Sequence, residues 1–242
     1  MKKSVQLLVC GAFLLSFMAN AQWSSSNKVT GNGKIVTETR NTSDYDSVKI
    51  SGSFDVDLVS GKEGTISIKA EENLMSYIIV EVEDNILKIY TKKNTSIRKS
   101  KRVQITVPFE KISEVSLAGS GDIQTKNNIK SDTFKAKLSG SGNFNLGIDS
   151  NDFDLSLSGS GNVRLKGTAD NFTTKLSGSG DIDAGDLKSK NVQVNVSGSG
   201  NSRVNCNESL TARVSGSGNI KYGGNPEKRD VKVSGSGNIS KV

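Results

Sequence analysis

The sequence predicts an all-β chain wound as a single-stranded parallel β-helix, and three observations carry that prediction. The first is a repeat. Gly-Ser-Gly followed by Asp or Asn begins at Gly119, Gly140, Gly159, Gly178, Gly198, Gly216 and Gly235, so the intervals are 21, 19, 19, 20, 18 and 19 residues, the mark of a solenoid. The second is alternation. Two residues before the motif stand Leu117, Leu138, Leu157, Leu176, Val196, Val214 and Val233, four before it stand Val115, Ala136, Leu155, Thr174, Val194, Ala212 and Val231, and polar residues lie between them. Each copy therefore opens with a strand that has one buried and one wet face. The third is size: a unit of about 19 residues with no helical period is too short for a propeller blade, which needs about 40.

Met1-Lys2-Lys3, an apolar run from Val5 to Met18 and Ala19-Asn20-Ala21 form a charged region, an apolar region and a small-residue cleavage site. Residues 1–21 read as a secretory signal peptide cut before Gln22. A lipoprotein signal ending at Cys10 is disfavoured, because Val9 is bulky for the position before such a cysteine and the apolar run continues past it. Residues 22–33 are polar and rich in Gly, Ser and Asn, a linker composition. Residues 34–118 are an irregular N-terminal part of the same β domain, with strands at 48–51, 54–59, 65–70, 78–82, 86–90 and 103–107 and a short helical turn at 71–76. Within it, Ser51-Gly52-Ser53-Phe54-Asp55-Val56 is a degenerate copy of the later motif. Residues 119–242 are the seven regular copies.

Inside a regular copy a second short strand comes after the corner, with Ile123, Phe144, Val163, Ile182, Ser202, Ile220 and Ile239 inward. Six residues before the glycine, Phe134, Phe153, Phe172, Val192 and Leu210 fall in register and should stack as an internal ladder. Glycine allows a positive φ or a close backbone approach at the corner. Asp122, Asn143, Asn162, Asp181, Asn201, Asn219 and Asn238 come directly after the motif. Five amides against two acids favour a structural ladder bonded from coil to coil over a row of calcium sites, which would want several carboxylates per ion.

Composition narrows the chemistry. The chain has no His, which excludes His-dependent triads and imidazole-ligated metals. Cleavage after residue 21 removes two Lys and one of the two Cys, leaving Cys206 alone and 30 basic residues against 25 acidic. Stability then rests on packing and backbone pairing without a disulfide. No apolar run of about 20 residues occurs after position 22, so the protein is not expected to be an integral membrane protein.

These residues resemble a known family. The signal peptide, Phe54-Asp55-Val56, Glu71-Glu72-Asn73-Leu74 followed by 82–89, and the recurring Ser-Gly-Ser-Gly-Asn/Asp-Ile are similar to exported proteins carrying the head GIN domain. The resemblance implies a right-handed β-helix shaped like the pectin lyases, without recognised catalytic residues, and a cell-adhesion role. It brings no transmembrane β-barrel segment of the kind that exports an autotransporter.

Function is read against rivals. The Gly-rich corners lack the Gly-Lys and helix of a phosphate loop. Asp181, Asp183 and Asp186 around one corner, with Asp152, Asp154 and Asp170 elsewhere, keep open a polysaccharide lyase or hydrolase, but such regular repeats argue against a catalytic site. Lys92, Lys93, Arg98, Lys99, Lys101 and Arg102 place six bases and no acid in eleven residues. That run is either a solvated loop or a patch for acidic glycan or lipid headgroups. Few aromatics are available for base stacking, and no nucleic-acid partner is expected. At the C-terminal coil, with Arg229 where earlier copies place Phe, Val or Leu, self-association is the sharper expectation. The expectation is an exported binding or adhesion module in the periplasm or at the outer surface. It is non-enzymatic, needs no cofactor or metal, and takes a glycan or envelope component as partner. A purely structural envelope rod is the other rival.

Overall fold

The structure, a computed structural model, describes residues 27–242. The signal peptide and the first residues of the expected linker lie outside the described residues. The chain folds as a β-solenoid with a repeat of about 19 residues, built on one seventeen-stranded sheet.

Two columns of parallel strands meet at the Gly-Ser-Gly corner. The first column holds the strands that end at the motif, paired glycine on glycine from Gly119 through Gly140, Gly159, Gly178, Gly198 and Gly216 to Gly235. The second holds the strands that begin after it, paired from Asp122 to Asn238. Identical residues come into register because every copy has the same alternation and the same corner.

That corner admits only glycine at its first position. At Gly159 φ is +124°, and a Cβ there would lie 2.3 Å from the carbonyl oxygen of Gly140 in the neighbouring coil. The same oxygen accepts hydrogen bonds from the N–H groups of Ser160 at 3.0 Å and Gly161 at 3.1 Å.

The degenerate copy joins the stack: Gly52 pairs with Gly119, Asp55 with Asp122 and Val56 with Ile123. Spatial order departs from chain order beyond it. Strands Ile86–Thr91 and Gln104–Phe109 pair on the far side of Ser47–Gly52 and Asp55–Ser60, so the coil later in sequence lies further out. The reason is the excursion between them. Thr65–Glu71 runs antiparallel to Gln104–Phe109, Ile35–Asn41 antiparallel to Thr65–Glu71, and Ile78–Glu83 antiparallel to Ile86–Thr91. These strands cover the N-terminal end of the stack. The expected helical turn is a 3-10 helix, Glu72–Tyr77, burying Leu74 and Met75.

Inward side chains stack as coil pairing dictates. Phe134 and Phe153 have ring centroids 5.7 Å apart, Phe153 and Phe172 5.2 Å, and Val192 and Leu210 continue the row. Thr174 and Ser202 occupy apolar rows, and their buried hydroxyls have no hydrogen-bond partner. At the other end Lys228–Gly235 is exposed throughout, with Val231 50% and Val233 41% exposed. Arg229, in register with Leu210, bonds the Tyr222 hydroxyl at 3.1 Å.

One expectation fails. Residues 27–30 of the expected linker form strand Asn27–Thr30, which pairs in parallel with Thr95–Arg98 as a separate two-stranded ribbon. With Val29 as its one apolar residue, the segment has a strand signal too short to read, and its partner lies far along the chain.

Candidate functional site

The six bases between 92 and 102 divide into two groups. Lys92, Lys93, Arg98 and Lys101 are exposed, and none of them forms an ion pair among the described residues. Lys99 and Arg102 are tied down. The Lys99 ammonium donates to the Ser53 carbonyl, and Arg102 Nη1 lies 3.0 Å from Asp55 Oδ2 and 3.5 Å from Asp122 Oδ2. The ribbon adds a cation that sequence reasoning missed. Lys28 pairs with Ser96 and Thr30 with Arg98, which sets Lys28 and Arg98 on the same outward face while Val29 and Ile97 turn inward, half-buried. Its sequence signal was no more than Val29, one apolar residue between Lys28 and Thr30.

A buried carboxylate holds the ribbon down. Glu71, 1% exposed, accepts from the Ser100 hydroxyl at 2.7 Å and from the N–H groups of Gly33 at 2.7 Å, Ser100 at 3.0 Å and Lys101 at 3.3 Å. Gly33 lies just past one ribbon strand and Ser100 just past the other, so a single side chain clasps both exits. The Ser100 hydroxyl bond, aided by the three N–H bonds, holds the Glu71 carboxyl below its ordinary value although burial opposes this.

The seven residues after the motif line up on the outer face of the second column. Asn143 Nδ2 donates to Asp122 Oδ1 at 2.7 Å, Asn162 to Asn143 at 3.2 Å, Asn201 to Asp181 at 3.0 Å and Asn219 to Asn201 at 2.9 Å. Asp181 is in register with Asn162, and Asn238 with Asn219. A second ladder went unread: Asn171 donates to Asp152 at 2.8 Å, Asn191 to Asn171 at 3.0 Å and Ser209 to Asn191 at 2.6 Å. Its signal was a polar residue recurring seven places before the glycine.

Of the acids that kept hydrolysis open, Asp152 and Asp181 are bonded within the ladders, and Asp154 is in register with Lys135. Asp183 accepts from the Gly185 N–H at 3.2 Å, and Asp186 is in register with Lys166. An open groove of about 1010 Å³ runs past residues 130–133 and 149–151 to Thr168 and Asp170. There Asp170 pairs with Lys190 at 2.8 Å, and Asp149 accepts from Asn128 and Thr168, each at 3.0 Å. Among the described residues no three Asp, Glu or Cys side chains form a group that could hold a metal ion, and no helix is long and apolar enough to cross a membrane. Cys206 is a buried free thiol, pushed up in pKa by burial and so poorly reactive.

These columns, corners and amide ladders define a parallel β-solenoid of Gly-Ser-Gly coils. The chain belongs to the family described as "Putative auto-transporter adhesin, head GIN domain", which matches residues 44–226. Among solved structures it is similar to a "putative adhesin" of Bacteroides fragilis, with 26% identity and a TM-score of 0.82 over 88% of this chain and 100% of that one. It is also similar to a "putative lipid binding protein" of Parabacteroides distasonis, with 29% identity and a TM-score of 0.72 over 89% and 100%. A "putative adhesin" of Parabacteroides merdae, 22% identical with a TM-score of 0.68 over 90% and 100%, shares the fold. No curated protein matches the chain.

Proposed function

We propose that the chain is exported and acts as a non-enzymatic adhesion module that holds an acidic glycan of the envelope or of a neighbouring surface. The observation that carries this reading is the clasped ribbon with the chain on either side of its second strand: Lys28 and Arg98 stand on the ribbon and Lys92, Lys93 and Lys101 flank it, all exposed and none in an ion pair among the described residues. Cations brought close together by one pairing of strands add their fields and act together on a polyanion, whereas an isolated surface lysine is screened. Family membership supports the adhesion role. Asp152 and Asp181 are bonded within the amide ladders and Asp170 is paired with Lys190, which favours binding over turnover.

The test is a glycan-array screen of the mature chain with and without calcium, followed by a product assay on every hit. Binding without products, lost in a ribbon variant in which Lys28, Arg98 and the flanking Lys92, Lys93 and Lys101 are changed to Gln, is the expected result. Turnover would overturn the reading. So would silence on glycans combined with binding to anionic phospholipid vesicles, the outcome that the Parabacteroides distasonis relative's description points to.

A further inference from the structure

The outer face of the first strand column carries a second cationic feature, distinct from the ribbon. The residue three places before each motif glycine points outward, and pairing sets these residues in one row along the solenoid axis. From the second strand of the column to the eighth the row reads Lys49, Ser116, Lys137, Ser156, Lys175, Asn195 and Arg213. Lys88 and Lys232 close it at the two ends. From Lys49 to Arg213 cation and small neutral residue alternate, and no acid stands among them; at the two ends Lys88 lies beside Lys49 and Lys232 beside Arg213. Lys49 and Lys88 come from the irregular segment, and Lys49 stands next to Ser116, with Lys88 beyond it, because the coils there stack out of chain order.

Stability does not require this pattern. Like charges on adjacent parallel strands repel, and mixing signs is the cheaper solution. The second column does mix them, in a row that includes Asp57, Arg164, Asp183 and Arg203. Acids flank the first-column row and meet three of its cations: Lys137 lies 3.2 Å from Glu114, Arg213 pairs with Asp230, and Lys88 with Glu83. Lys49 and Lys175 are exposed and form no ion pair among the described residues. Beside the row, the serine before each motif glycine, from Ser139 to Ser215, is exposed and offers short hydroxyls at every coil.

We infer that this row is a track for a linear anionic glycan lying along the solenoid axis, with one carboxylate or sulfate per disaccharide. Neighbouring strands lie about 4.8 Å apart, so cations on every second strand recur at about 9.6 Å. That interval matches the rise of a disaccharide in an extended chain and is too wide for a charge on every sugar. The serine rows supply partners for sugar hydroxyls. The inference rests on the adhesion reading above and names a different surface and a charge spacing for it.

The probes are hyaluronan oligosaccharides of graded length, which carry one carboxylate per disaccharide, and polygalacturonate oligosaccharides, which carry one per sugar, titrated calorimetrically at low ionic strength. The four alternating cations span about 29 Å, six strand spacings, so affinity for hyaluronan should climb up to about four disaccharides and then level off. Each exposed pair contributes about 0.2–1 kcal/mol, so Lys49→Gln with Lys175→Gln should weaken binding about two- to thirtyfold. Lys62→Gln, an exposed control, should not. Loss of hyaluronan binding in the ribbon variant with no change in the Lys49/Lys175 variant would overturn the track and leave the adhesion reading standing. Polygalacturonate binding as well as hyaluronan at equal length would overturn the spacing match. Binding of neither probe would overturn the track, and silence across the glycan array would overturn the adhesion reading with it.

Discussion

Replacing Gly159 by Ala should be among the most damaging single-methyl changes in the molecule. Two costs add. An L-residue held at φ +124° is strained by about 1–3 kcal/mol. The new Cβ would also stand 2.3 Å from the Gly140 oxygen, where ordinary contact begins at 3.4 Å. The coils would have to separate by about an ångström at an oxygen that accepts two N–H bonds, and losing both costs about 1–3 kcal/mol more. The expected loss is about 2–6 kcal/mol, set against a total stability of about 5–15 kcal/mol for a domain. Urea unfolding followed by circular dichroism measures it, with Ser160→Ala as the control. Ser160 is exposed, and its loss should stay within about 0.5 kcal/mol. A Gly159→Ala penalty below about 1 kcal/mol, or one equal to the control, would refute the close-approach argument.

Three further outcomes are expected. Phe153→Ala should cost about 3–5 kcal/mol in the same assay, while Phe153→Leu, which gives up only the ring contacts at 5.7 and 5.2 Å, should cost about 1–3 kcal/mol; equal penalties would mean that the rings do not interact. Thr174→Val keeps the shape and removes an unpartnered hydroxyl, so it should raise stability by about 1 kcal/mol; a loss would show that the hydroxyl has a partner. Glu71 has a folded pKa below its unfolded value of 4.5, so its contribution is complete above 4.5 and disappears as pH falls through the lower folded value. Hydrogen-exchange protection of the Gly33, Ser100 and Lys101 amides should therefore collapse selectively in acid, and Glu71→Gln should lower it at neutral pH; protection in Glu71→Gln equal to wild type would remove the clasp.

The seven motif copies, the inward Phe ladder and the degenerate copy at Gly52 were legible in sequence because each depends on one strand and its corner. Alternation reveals which face of a strand is buried but not which strand lies beside it. That is why the outward displacement of Ile86–Thr91 past Ser47–Gly52 was hidden, and with it the place of Lys88 at the end of the cationic row. The pairing of Asn27–Thr30 was hidden for the same reason, since its partner is contributed by the basic run itself. Glu71 was read as the start of a helical turn. Nothing in the order of residues marks a carboxylate that will be enclosed by two chain segments.

Alternation along the first column gives the solenoid a unit larger than its repeat. Excising residues 160–178 would rejoin one Gly-Ser-Gly to the next and close the ladders again, yet it would set Ser156 against Asn195 and interrupt the charge pattern. Excising residues 160–198 would set Ser156 against Arg213 and preserve the pattern. Lengthening or shortening that keeps the outer surface in phase must therefore proceed by pairs of coils, although the core would accept them singly.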